Sequence, residues 1–129
     1  MGIQKSKINQ IQISVKCVYV AAESKPDQNH HFFAYRITIK NKGSGTAQLL
    51  SRHWTITDGL GRIEEVKGPG VIGQQPKIEE GKSFEYESAC PLTTSCGSMK
   101  GRYEMIDQEG EKFWVDVPEF FLIAPQALH

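Results

Sequence analysis

Apolar and polar residues alternate with a period of two along most of the chain. In Ile11–Tyr19 and in Phe33–Ile39 every second residue is apolar, and most residues between them are polar. Such alternation is typical of strands that bury one face. The same pattern recurs in four later segments, Gln48–Thr57, Phe84–Glu87, Met99–Met105 and Phe113–Val117. No segment shows the 3.6-residue period of a helix.

Residues that tolerate a positive φ separate these strands. They cluster in four turns, Asn41–Gly45, Asp58–Gly61, Glu80–Gly81 and Gln108–Gly110. Short strands with such turns between them predict an all-β, antiparallel β-sandwich of seven to eight strands. A length of 129 residues suits a single domain. We expect its ordered core to span about residues 10–124, with both chain ends outside it.

Two positions complicate the strand pattern. In the third strand the alternation places Leu50, Trp54 and Ile56 on the buried side, and Arg52 falls on the same side. A charged residue in that register requires a β-bulge or a dedicated partner. Pro118 follows the last alternating residues and is expected to end the final strand.

Charge and cysteine content narrow the functional classes. Fifteen basic and fifteen acidic residues cancel, so nucleic-acid binding, which depends on excess Lys and Arg, is not expected. No apolar segment is long enough to span a bilayer, so no membrane partner is expected. Three cysteines (Cys17, Cys90 and Cys96) without a Cys-x-x-Cys motif favour a reducing, cytoplasmic location.

Several sequence blocks together resemble a known family. They are Ser51-Arg-His-Trp54, Gly68-Pro-Gly-Val-Ile-Gly-Gln-Gln-Pro76, Gly97-Ser-Met-Lys-Gly-Arg-Tyr103 and Val117-Pro-Glu-Phe-Phe-Leu122. In this order and spacing they resemble the ApaG family. The resemblance implies a fibronectin type III-like or immunoglobulin-like sandwich, a protein-binding role, and an association with cobalt resistance and magnesium efflux. It supplies no catalytic residues.

Gly68, Gly70 and Gly73 form a Gly-x-Gly-x-x-Gly motif, preceded by Lys67. In dinucleotide-binding folds such glycines lead into a helix whose N-terminus binds phosphate. Here Gln74-Gln-Pro76 interrupts any such helix. The motif is therefore interpreted first as a structural loop. The alternative is a weak anion- or partner-binding site that uses backbone amides of the loop beside Lys67.

Metal and nucleophile patterns are weak. His30 and His31 are adjacent, so in a strand their rings would point to opposite faces, and no metal-ligand spacing is present. Nothing in the sequence brings Cys90 or Cys96 together with a histidine and an acid. We therefore expect no enzymatic activity, no cofactor and no resident metal, and we interpret any link to divalent cations as indirect.

Most aromatic residues fall on the buried register, but Phe32 and Trp114 fall on the opposite one. An exposed aromatic side chain on a sheet can anchor a protein partner. The leading hypothesis is a non-catalytic protein-interaction module that presents the 68–76 loop and an outward aromatic residue. The alternative is a weak binder of nucleotides or other phosphate anions through Gly68–Gly73. The sequence leaves the oligomeric state open.

Overall fold

The fold is an antiparallel β-sandwich, as the alternation predicts. The computed structural model describes residues 10–125. The chain ends, which the sequence places outside the core, lie beyond the described residues. The strands, in chain order, are β1 (Ile11–Tyr19), β2 (His31–Asn41), β3 (Ala47–Asp58), β4 (Ile63–Pro69), β5 (Lys77–Ile78), β6 (Ser83–Leu92), β7 (Cys96–Asp107) and β8 (Lys112–Ile123). Two single 3-10 turns, Ala21–Glu23 and Pro26–Gln28, join β1 to β2.

Two sheets make up the sandwich. The smaller sheet has the order β1-β2-β6, and the larger has the order β4-β3-β7-β8, with the short β5 also pairing with β3. At one side of the sandwich β1 and β8 contact each other, and the Cys17 thiol lies 3.5 Å from the carbonyl oxygen of Phe121. At the other side β6 and β4 are the edge strands of their sheets. We call the β1/β8 side the closed edge and the β4/β6 side the open edge.

The core lies between the sheets and consists largely of residues that alternation predicts to face inward. Phe33, Ile37 and Ile39 of β2 are completely buried, and so are Tyr103 and Met105 of β7. Full burial of each such side chain contributes about 1.5–3 kcal/mol. Gly101 of β7 also faces inward, where a Cβ would lie 2.6 Å from the Trp54 ring. Glycine is therefore required beside this indole.

The register of β3 differs from the predicted one in its first half. Ala47 and Leu49 are buried, whereas Leu50 is only half-buried, so the prediction that Leu50 faces inward is wrong. A β-bulge between Leu49 and Ser51 shifts the pairing with β7 by one residue. Beyond the bulge Arg52 and Trp54 face inward, as predicted. The sequence required either a bulge or a dedicated partner for Arg52; a bulge lies nearby at Leu50, and the carbonyl groups that bind the side chain are described below.

The final strand does not end at Pro118. β8 continues to Ile123 because a second bulge, opposite Lys100, lets Val117 and Phe120 pair with Gly101 and Met99. Proline lacks an N–H donor but is tolerated at bulges and on edge strands, and β8 is an edge strand. The described residues include no helix long and apolar enough to cross a bilayer.

Candidate functional site

A cleft of about 420 Å³ opens between the two sheets at the open edge. Tyr35, Trp54 and Tyr86 line its interior, together with Val66 and Met99. A volume of this size is in the range of ligand-binding clefts. The cleft exists because the two sheets separate where β4 and β6 end them, without a strand that bridges the gap.

The two ends of the cleft carry opposite charges. Arg52 lines one end and Glu64 the other. In the β3–β4 ladder Arg52 pairs with Gly68, and Ile56 pairs with Glu64. Four residues of extended chain therefore separate the two positions along the ladder, which corresponds to about 13 Å of backbone. No carboxylate of the described residues lies within ion-pairing distance of the Arg52 guanidinium.

Backbone carbonyl groups hold the Arg52 side chain in place. Its Nη1 atom donates hydrogen bonds to the carbonyl oxygens of Pro69, at 3.1 Å, and Gly70, at 2.9 Å. Gly68 provides the space, since a Cβ there would lie 3.2 Å from Nη1. Within residues 10–125, Nε and Nη2 have no hydrogen-bond partner. The guanidinium is thus fixed in orientation and keeps two nitrogen atoms available.

The buried tyrosines near Arg52 cannot neutralise its charge. Burial raises the pKa of Tyr35, Tyr86 and Tyr103, and the Arg52 charge opposes this shift without reversing it. The hydroxyl groups of Tyr86 and Tyr103 hydrogen-bond to each other. All three phenols therefore stay protonated at neutral pH, so the Arg52 end of the cleft keeps its positive charge.

A tight turn forms the β4 side of the cleft mouth. Val71 and Gln74 exchange both backbone hydrogen bonds, at 2.8 and 2.9 Å. The two residues between them, Ile72 and Gly73, have positive φ values of 43° and 76°, as in a two-residue type I′ turn. Val71 is buried and fastens the turn to the core, whereas Ile72 is 53% exposed and lines the cleft.

Ile72 occupies an unfavourable backbone conformation for its residue type. A positive φ is a clear outlier for a β-branched residue, and asparagine or glycine is preferred at this turn position. Its side chain also gains little from burial, because more than half of it is exposed. The fold itself therefore does not account for isoleucine at this position.

Comparison with known proteins identifies the family. A family model described as the ApaG domain matches residues 21–107. The chain belongs to the ApaG family. A Bdellovibrio bacteriovorus relative, named Protein ApaG, is 64% identical over 127 residues, which covers 98% of this chain and 100% of the relative. A second Protein ApaG, from Acidithiobacillus ferrooxidans, is 50% identical over 120 residues, covering 93% and 94%.

Structures of related proteins agree with the fold of this ApaG chain. The crystal structure of a Bordetella pertussis protein named ApaA superposes with a TM-score of 0.87 at 46% sequence identity. The match covers 90% of this chain and 94% of that one. The sequence-based identification of the ApaG family and the predicted antiparallel sandwich are therefore both confirmed.

The glycine motif of this ApaG domain has structural uses at all three positions. Gly68 makes room for Arg52, and a Cβ at Gly70 would overlap the carbonyl oxygen of Gln74. Gly73 supplies the positive φ of 76° at the exposed tip of the turn. The amides of Gly70, Val71 and Gln74 already donate hydrogen bonds to backbone carbonyls. Anion binding through these amides stays a prediction, and three of the donors it could use are engaged.

The structure does not bring the other predicted site residues to the glycine turn. Lys67 is exposed and pairs with His53, on the outer face of the larger sheet, away from the cleft. Trp114 is 37% exposed on that same outer face, where the Arg102 guanidinium carbon lies 4.2 Å from its ring centre. Phe32 is half-buried on the outer face of the smaller sheet. Contacts of Trp114 and Phe32 with a partner stay predictions.

The ionisable residues considered for chemistry are dispersed. Within residues 10–125 no group of three or more His, Cys, Asp or Glu side chains could hold a metal ion. His53 hydrogen-bonds to Glu65 at 2.8 Å, and this bond lowers the pKa of the Glu65 carboxyl group. Burial, reinforced by the nearby Glu64 charge, raises the pKa of the Cys90 thiol to about 11.

Proposed function

We propose that this ApaG domain is a non-catalytic protein-interaction module that binds its partner at the open edge of the sandwich. The observation that carries the proposal is Ile72, an exposed, β-branched residue held at a φ of 43° at the mouth of the cleft. A conformation of this kind costs about 1–3 kcal/mol and tends to be retained at functional sites. An exposed apolar side chain beside a cleft is suited to contact a partner.

The open edge offers two further features that suit a protein partner. The β6 strand ends its sheet, and within residues 10–125 its backbone groups make no hydrogen bond outside the ladder with β2. An extended segment can add to such an edge through main-chain hydrogen bonds. The buried side chains of Tyr35, Trp54 and Tyr86 form the floor of the cleft next to this edge, and the half-buried Val66 and the exposed Ile72 supply apolar surface at its mouth.

Capture of partners by variant proteins tests this proposal. Immobilised native chain is compared with Ile72→Asp and with the control Leu60→Asp in an extract of the native cell. Aspartate is tolerated at a positive φ, so Ile72→Asp keeps the turn. Leu60 is a good control because it is 73% exposed in the β3–β4 turn, at the far end of that hairpin.

We expect Ile72→Asp to reduce recovery of the partner about tenfold, as for an interface residue worth more than 1 kcal/mol. Leu60→Asp should leave recovery unchanged. Equal recovery by all three proteins would show that the partner binds elsewhere. Recovery of no protein above the background of the bare resin would contradict the proposed interaction function itself.

A further inference from the structure

The chemistry of the cleft specifies what kind of partner segment it can hold. Its Arg52 end carries a guanidinium that lacks a carboxylate partner in the described chain. Nε and Nη2 have no acceptor there either. A half-buried cation whose Nε and Nη2 atoms remain accessible to solvent favours an oxyanion, and the planar guanidinium matches a carboxylate through two parallel hydrogen bonds.

The opposite end of the cleft favours a cation. Glu64 lines it, and no basic group of residues 10–125 forms an ion pair with this carboxylate. Its effect reaches the β6 side of the cleft, since its charge helps to raise the pKa of Cys90. Glu64 is itself exposed, so it acts as a weak, solvent-screened attraction at the rim.

Apolar residues lie between the two charged ends of the cleft. From Arg52 to Glu64 the β3 and β4 ladders advance by four residues. Trp54 and Val66, which pair with each other midway between these positions, line this path. A peptide in extended conformation advances about 13 Å over four residues as well. The unpaired edge of β6 lies alongside and can supply main-chain hydrogen bonds.

We infer that the cleft binds an extended segment of a partner protein that carries an acidic side chain at Arg52, an apolar side chain against Trp54 and Val66, and a basic side chain at Glu64. The acidic and basic residues stand four positions apart in that segment. This inference rests on the proposed function and adds the chemistry of the partner. It assigns recognition to side chains below the glycine turn, not to the amides of the turn.

Selection from a random dodecapeptide library displayed on phage tests the inference without knowledge of the partner. The library is selected in parallel on the native chain, on Arg52→Met and on Glu64→Gln. Because Arg52 also binds two loop carbonyls, Arg52→Lys serves as a variant that retains the positive charge. Glu64→Gln alters an exposed residue without a structural partner, so it leaves the fold intact.

Peptides selected on the native chain should be enriched in Asp or Glu next to an apolar residue, with Lys or Arg four positions away. The acidic preference should disappear on Arg52→Met and partly return on Arg52→Lys. The basic preference should disappear on Glu64→Gln. For one selected peptide, replacing its acidic residue by the amide should weaken binding to the native chain at least about tenfold and leave binding to Arg52→Met unchanged.

Three results would overturn the inference. They are selected peptides without an acidic residue, an acidic preference that persists on Arg52→Met, and no enrichment of any peptide. If Ile72→Asp nevertheless loses partner capture from the extract, the interaction function stands and the role of Arg52 fails. If the native chain captures nothing from the extract, the interaction function fails as well.

Discussion

At the scale of single residues, the cleft depends on a few side chains that the sequence pattern alone would treat as exceptions. Arg52 interrupts an apolar register, and Ile72 interrupts a turn that favours asparagine or glycine. Both line the same cleft. Residues that contradict local preference often mark sites where function outweighs stability.

Replacement of Ile72 by asparagine should stabilise the protein. Asparagine adopts a positive φ at lower cost and is favoured at the first central position of a type I′ turn. We expect the free energy of unfolding to rise by about 0.5–1 kcal/mol, measured by urea denaturation. A fall in stability would show that Ile72 contributes to the fold, and it would remove the main support for a functional role.

Gly70 and Gly73 should differ in their tolerance of alanine. Both have a positive φ, but a Cβ at Gly70 overlaps the Gln74 carbonyl oxygen, whereas nothing lies within 4 Å of a Cβ at Gly73. Gly73→Ala should cost about 1 kcal/mol, and Gly70→Ala at least about 2 kcal/mol because of the added overlap. Thermal unfolding of the two variants measures the difference. Equal losses would mean that the turn relaxes around the new methyl group.

Cys90 should be unreactive in the folded protein. With burial raising its pKa to about 11, on the order of one thiol in a thousand is ionised at pH 8, and the thiolate is the reactive species. Alkylation by iodoacetamide at pH 8, followed by peptide mass spectrometry, should label Cys90 at least about a hundredfold faster in urea than in buffer. Similar rates in both conditions would show that the thiol is accessible and ionised.

At the scale of elements, the sequence predicts strands well and bulges poorly. Alternation located β1 and β2 because each keeps one apolar phase throughout. In β3 two apolar phases meet, one through Ala47 and Leu49 and the other through Trp54 and Ile56. That change of phase indicates a bulge near Leu50. The charged Arg52 in an apolar register is a second indication of an irregularity there. For β8, Pro118 suggested that the strand ends, because proline cannot donate a ladder hydrogen bond. The bulge that accommodates this proline depends on the pairing with β7, which the local sequence does not show.

Deletion of Leu50 tests the role of the β3 bulge. Without the extra residue, β3 becomes a regular strand in which Leu49 and Trp54 still share the buried face, because they then stand four positions apart. We expect this deletion variant to keep cooperative thermal unfolding and amide shift dispersion. Deletion of Thr55, which lies where the pairing with β7 is regular, should abolish both, because it turns the rest of the strand to the other face. Loss of folding in the Leu50 deletion variant would contradict this role of the bulge.

At the scale of the whole molecule, the site depends on long-range pairing that no local pattern contains. Arg52, Glu64, Ile72 and Tyr86 lie on three strands and a turn, and only the packing of the two sheets places them around one cleft. The sequence identified the 68–76 loop as a candidate. It did not reveal the cleft below that loop, nor that Lys67 lies on the outer face of the larger sheet, where alternation predicts that Trp114 points outward.

The two sides of the sandwich have different roles in this account. β1 and β8 close one side, and β4 and β6 leave the other open between aromatic walls. The outer face of the larger sheet, which includes His53, Lys100 and Asp116, is a competing surface, since a second depression lies there. Binding of a partner to this ApaG domain should therefore affect residues of the open edge and not residues of that outer face.

Amide chemical-shift mapping of the native chain with a peptide from the phage selection tests the open edge most directly. We expect the largest shifts in β6 and in the turn from Gly70 to Gln74, with the Arg52 Nε–H signal moving as well. Shifts confined to the outer face of the larger sheet, at residues such as His53, Lys100 and Asp116, would contradict the account.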